Sequence, residues 1–273
     1  MAAASSMPRS PHGRLWRLPD TKVLALGAVL LVIGDDRTPA ATGGGESASV
    51  ELAFVGYSSR AAVSLGGVTA GPGRIAVDEA YLSLRDVRLR EARRCERTGG
   101  SLATAGPIVA ELVGGHASGI DRPLALRAGR YCRLEYTPRR AEGASGSPAE
   151  LRGHTVLVSG RRDDGVRFTI RSRKREVVQL LAHDPDGFAI SAGRQRLVLS
   201  VDLGRWLDGI DLAPLVPGRG KNGVIRIDEG SHRDLLGVFE ENLLAGLSLC
   251  RGEAGATGPR ECSSARRLAS AGR

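Results

Sequence analysis

The chain has 273 residues, 41% of them hydrophobic, which is enough to bury a real core and excludes a protein disordered throughout. Aromatic residues make up only 4%, so the core must be Leu, Val, Ile and Ala, and stacking platforms for bases or sugar rings are scarce. The formal charge of +9 divides into +2 over residues 1–40, +3 over residues 251–273 and +4 between them; with its signs interspersed and no recognisable motif, the central segment speaks against nucleic-acid binding.

Residues 1–40 have the layout of an export signal. Arg9, Arg14, Arg17 and Lys22 precede the apolar run 23–34, VLALGAVLLVIG, and small residues follow around Thr38, Pro39, Ala40 and Ala41. Those 12 residues, as a helix, reach about 18 Å, short of the roughly 30 Å of bilayer hydrocarbon. A cleaved signal peptide is expected, with no transmembrane span after cleavage, and the absence of a cysteine near the run excludes a lipid-modified N-terminal cysteine. Residues 41–49, rich in Gly, Ser and Thr, read as a linker.

A β-rich body is predicted over residues 50–250. Val50–Tyr57 and Ile75–Arg90 alternate as strands, and in the second the phase slips at Asp86, so that Val87 and Leu89 carry on where Ala80, Leu82 and Leu84 leave off; this is the signature of a bulge. Pro107–Val113 is a short strand, and Leu124–Tyr136 reads as two pieces bent at Ala128 and Gly129. Residues 138–150, PRRAEGASGSPAE, mark a domain break or a long surface loop.

The clearest local signal is a β-hairpin over His154–Ser172, turning at Asp164-Gly165, where a type I′ turn needs two residues with positive φ. That turn sets Ser159 against Ile170 and Arg161 against Phe168, with Val156 and Val158 on the other face. Apolar groups on both faces require either a strand covered twice or a longer, bulged turn. The basic cluster Arg171, Arg173, Lys174 and Arg175 reads as a charged, exposed strand end or edge. Glu176–Ala182 is short and fits neither pattern cleanly; further strands are expected at Gly187–Ile190, Arg194–Leu203 and Gly223–Asp228, with one helical turn at residues 204–209.

The one convincing helix is Ser231–Leu247. Leu235, Leu236, Phe239, Leu243 and Leu247 recur at helical spacing, and Ser231 with Asp234 forms an S-x-x-D start. Residues 251–273 read as a basic flexible tail. Nine or ten strands joined mostly by turns, without alternating helices, predict a mainly β fold: an antiparallel β-sandwich with one C-terminal amphipathic helix.

The four cysteines, Cys95, Cys132, Cys250 and Cys262, lack the spacing of a zinc site, and in an oxidising compartment such a set pairs. Three connectivities exist for four cysteines; Cys95 with Cys132 and Cys250 with Cys262 is the expected one.

No enzyme template fits. Gly218-Arg219-Gly220-Lys221 lacks the leading Gly of a phosphate loop, and Asn222 replaces its Ser or Thr. Ser231, His232 and Asp234 are sequence neighbours, whereas a triad needs convergence from separate elements; helix capping is the expected role. The HDPDG segment, with His183, Asp184 and Asp186, lacks a full calcium-loop pattern and reads as a turn. His116, His154, His183 and His232 are the candidate metal ligands if the fold gathers them, copper or zinc being the metals imidazole suits.

The runs VDEAYLSLRDVRLR and LALRAGRYCRLEY, followed by a hairpin, resemble bacterial envelope β-sandwich domains of unknown function, prealbumin-like in fold and often carried on lipoproteins. The same strand and G-x-Y turn resemble periplasmic copper-binding proteins partnered with di-haem peroxidases, a likeness that implies His ligands and a reactive Trp, with Trp206 the one Trp after the signal. The expectation is a periplasmic or extracellular, non-enzymatic binding or structural module without cofactor, meeting an envelope protein or glycan. The alternative is a periplasmic copper-binding protein.

Overall fold

The computed structural model describes residues 46–66, 74–92, 95, 101–104, 106–119, 122–142, 147–218, 223–252 and 267–271; the expected signal peptide and Cys262 lie outside them. In chain order the strands are β1 (Ser47–Tyr57), β2 (Val63–Leu65), β3 (Ile75–Glu91), β4 (Ser101–Thr104), β5 (Ile108–Glu111), β6 (His116–Ser118), β7 (Leu124–Arg127) and β8 (Gly129–Pro138). After a 3-10 turn at Ala149–Leu151 come β9 (Val156–Arg162), β10 (Arg167–Ser172), β11 (Val178–Ala182), β12 (Phe188–Ile190) and β13 (Gly193–Asp202). Helix α1 (Leu203–Trp206), β14 (Ile225–Ile227), helix α2 (Arg233–Asn242), β15 (Leu247–Gly252) and β16 (Arg267–Ala271) complete the chain.

The described strands join one curled, mixed sheet, a half-barrel, whose main path is β14-β10-β9-β3-β8-β11-β16-β15-β13-β1-β7, with β2, β4 and β5 added on β3, β6 on β5 and β12 on β8. The mainly β expectation stands; the antiparallel β-sandwich does not, because the described strands curl as one mixed sheet instead of packing as two antiparallel ones. β1 runs parallel to β13, β10 to β14 and β2 to β3. Parallel neighbours need a long crossover, and between β1 and β13 the sheet itself supplies it, since the curl brings strands remote in sequence side by side. The curl also carries β1 toward β5, where the Gly56 N–H donates to the Leu112 carbonyl at 2.7 Å.

The 17-residue strand β3 is the branch point. On one edge its first half pairs with β9 and its second half with β8, while β2, β5 and β4 follow one another on the other edge. The change of partner falls at Ser83, just before the foreseen bulge: pairing with β9 ends at Leu82 and pairing with β8 begins at Leu84, then the register to β8 shifts between Arg85 and Arg88, where Asp86 sits at φ 54°. A non-Gly residue in the left-handed region re-aims the strand so that Ala80, Leu82 and Leu84 and then Val87 and Leu89 all enter the core.

The hairpin forms with a longer turn than Asp164-Gly165 alone implies. Arg161 opposes Arg167, Gly160 opposes Phe168 and Val158 opposes Ile170. Gly165, at φ 81°, closes a three-residue loop, so every pair lies one position from the expected register. The slip puts Phe168 and Ile170 on the same face as Val156 and Val158, all in the main core. Leu157 faces the other way into a small second cluster with Val109, Ala141 and Leu151. The 138–150 segment therefore leads into a cover for this outer face, and residues 44–273 form one unit rather than two domains.

Of the two readings of the basic cluster, the strand end stands, since β10 stops at Ser172 and Arg173 and Arg175 are exposed beyond it, and the edge does not, since β10 lies between β9 and β14. Further readings change. Helix α2 is shorter than Ser231–Leu247: Ser231 is held in a tight turn with Asp228, His232 takes a left-handed conformation, and no side chain caps the helix. The 251–273 tail contains β16, and the 41–49 linker contains the start of β1. Of the described helices none is long and apolar enough to cross a membrane.

Candidate functional site

A disulfide joins Cys95 to Cys132 on β8, with Cα atoms 6.1 Å apart across 37 residues. Closing such a loop is worth about 4 kcal/mol in the chain-entropy account. Cys250 is also disulfide-bonded. Beside the first bridge the outer face of β3 and β8 holds a buried charge cluster. The Arg90 guanidinium donates to one Glu135 oxygen at 2.7 Å, and Arg133 stands 3.1 Å from the other. Arg133 also donates to the Cys95 carbonyl at 3.1 Å and to Gln179 at 3.2 Å, so the cluster and the bridge brace each other.

The four histidines are placed on separate elements. His116 is exposed on β6, His183 is exposed just after β11, and His232 precedes α2. His154 is buried between the 3-10 turn and β9, and its Nδ1 donates to the Arg152 carbonyl at 3.0 Å. Burial first, then the Arg171 guanidinium, pushes its pKa below the ordinary 6.5. Among the described residues no three His, Cys, Asp or Glu side chains stand close enough to hold a metal ion. Trp206 is fully buried; its indole N–H donates to the Leu243 carbonyl at 3.0 Å, and its ring meets Phe239 edge-on. Its packing is that of a core residue joining α1 to α2.

The basic cluster after β10 is largely spent within the fold. Arg171 pairs with Asp228, Arg173 stands 3.6 Å from Glu229, and Lys174 reaches the Glu240 carbonyl at 3.2 Å and Glu176 at 3.3 Å. Asp228 titrates below its ordinary value: burial opposes ionisation, but Arg171 and the Gly230 N–H outweigh it. The Ser231, His232 and Asp234 group builds no triad geometry, and most of the Gly218–Asn222 segment lies outside the described residues.

Two open clefts lie at one end of the half-barrel. Strand pairing brings there the start of β8, the ends of β11 and β15, and the starts of β13, β16 and β1. One cleft, of about 320 Å³, is lined by Arg130, His183, Asp184, Phe188, Arg251 and Arg267, among others. The HDPDG segment makes its floor as the expected turn: the Asp186 N–H donates to Asp184 Oδ1 at 2.8 Å, and Gly187 adopts φ 80°. Arg130 is fixed against that turn by bonds to the Asp186 carbonyl at 2.7 Å, the Gly187 carbonyl and Asp184 at 3.1 Å. Arg251 donates to the Ala189 carbonyl at 2.6 Å.

The second cleft, of about 350 Å³, includes His116, Arg122, Arg194 and Arg196, and there Glu51 lies 4.0 Å from Arg194 and 3.7 Å from Arg196. A third, mainly apolar hollow lies between the sheet and α2, lined by Leu82, Tyr136, Val156, Trp206 and Leu243, with about 30 Å³ free, roughly one water. Burial pushes the Tyr136 phenol well above its ordinary pKa, and Lys174 and Glu176 also line the hollow. Sequence reading overlooked the basic clefts because their arginines come from five separate stretches of chain.

No family model, no curated protein and no solved structure matches the chain.

Proposed function

We propose that this chain is an exported, non-catalytic binding module of the bacterial cell envelope, working in the periplasm or outside the cell. The Cys95–Cys132 disulfide carries the reading, because such bridges persist where thiols are oxidised and are rare in the cytosol. The basic, hydrophobic N-terminal run supports the same address. A half-barrel whose open clefts gather at one end suits recognition.

Osmotic-shock fractionation with intact-mass and elemental analysis tests the proposal. The expected product is an N-terminally shortened chain in the periplasmic or secreted fraction, without stoichiometric metal. A full-length cytosolic product overturns the address. Stoichiometric copper lost on substitution of His116, His154, His183 or His232 overturns the binding-module reading in favour of a copper protein.

A further inference from the structure

We infer that the cleft formed by Arg130, Arg251, Arg267 and His183 is a binding site for a phosphoryl group. This deepens the binding-module reading by giving it a ligand class, and it rests on that reading only for where the ligand is met.

The cations outnumber the carboxylates. Three guanidiniums and an imidazole line the cleft with one carboxylate, Asp184, which is already bonded to Arg130. The neighbouring cleft has a like inventory, Arg122, Arg194, Arg196 and His116 with Glu51, but there the carboxylate lies between two of the guanidiniums, whereas here Asp184 engages Arg130 and leaves Arg251 and Arg267 facing the hollow without a described carboxylate at ion-pair distance. Arg130 is held by two carbonyls and Asp184, and Arg251 by one carbonyl. A guanidinium has five N–H donors in a fixed plane, so both are oriented while keeping donors for a ligand. Arg267 is exposed on the first position of β16, opposite Cys250 and next to Arg251.

Two or three forked donors around one hollow match the three oxygens of a phosphomonoester better than the two of a carboxylate. The cleft, at about 320 Å³, is at the small end of ligand pockets, which suits a compact headgroup. Arg127, at the end of β7, stands at the same end of the half-barrel and adds to the positive field that draws an anion in. The source is a soluble phosphate monoester or the phosphomonoester headgroup of phosphatidic acid, since both present three terminal oxygens.

Calorimetric titration of the purified chain with inorganic phosphate, phenyl phosphate and acetate is the test. A parallel arm measures co-sedimentation with vesicles of phosphatidic acid in phosphatidylcholine. Saturable binding of phosphate or phenyl phosphate, at least tenfold tighter than acetate, is expected; it should fall at least tenfold in Arg251→Gln/Arg267→Gln and stay unchanged in Arg194→Gln. Arg267→Gln alone, at an exposed side chain without a described hydrogen bond, keeps the test valid if the double variant fails to fold. Vesicle binding displaced by free phosphate and lost in these variants identifies the lipid source and supports the site. No saturable binding of either phosphate compound, equal affinity for acetate, unchanged binding in the variants, or vesicle binding that phosphate does not displace overturns it. Because these titrations are independent of export, the site and the cellular address fail separately.

Discussion

Gly160 sits where β9 passes between β3 and the Phe168 ring. A Cβ there would lie 2.0 Å from the Ala76 carbonyl oxygen and 2.9 Å from two ring carbons, so the ring lies over a space that only glycine leaves. Gly160→Ala should therefore destabilise the fold by about 1–3 kcal/mol or more, read as a lowered urea midpoint. His154 makes a different prediction. Its folded pKa lies below 6.5, so the unfolded chain takes up the proton first. The stability it contributes is complete above that ordinary value and is lost as pH falls toward the folded value. Urea midpoints should drop between pH 7.5 and pH 5, and less so in His154→Gln; an equal drop in both would refute the assignment. Asp228, also held below its ordinary value, adds acid sensitivity of the same sign at lower pH.

Among the elements, β16 has the largest consequence for its length. Five residues pair with β15 on one side and β11 on the other, and Ala269 is fully buried between them. Truncation after Gly252 should open the sheet in its middle and abolish cooperative unfolding, whereas loss of a true tail would leave the urea transition unchanged. Composition hid this strand, because RLASA lies in a Gly, Ala, Ser and Arg context that cannot report its pairing partners. Where alternation was long and apolar, as in β1, β3 and β8, it was readable, and so was the Asp86 bulge, because a phase slip is a local property. The hairpin register was half legible. Asp164-Gly165 marked the turn, but whether Asp164 also takes positive φ is decided by packing: only the three-residue loop puts Phe168 beside Val158 in one core. α2 showed its apolar stripe but not its end, since Leu247 continues the helical spacing while pairing as a strand opposite Val201.

For the whole molecule, the arrangement of charge matters more than its sum. The net charge of +9 read as a scattered surface, yet the sheet gathers arginines from β8, β13, β15 and β16 at one end, while the conspicuous cluster after β10 is paired internally. Parallel pairing of β1 with β13 was likewise invisible, because it follows from curvature and not from any local pattern. Among the described residues the four histidines lie apart, His116 on β6 and the others beside β9, β11 and α2, and no three His, Cys, Asp or Glu side chains gather to hold a metal ion. The disulfides link this architecture to its compartment. The most direct check is to trap cells expressing the chain in acid, denature the protein and alkylate any free thiols before measuring intact mass. The account expects a shortened chain with no alkylated cysteine; a full-length product modified at all four positions would contradict it.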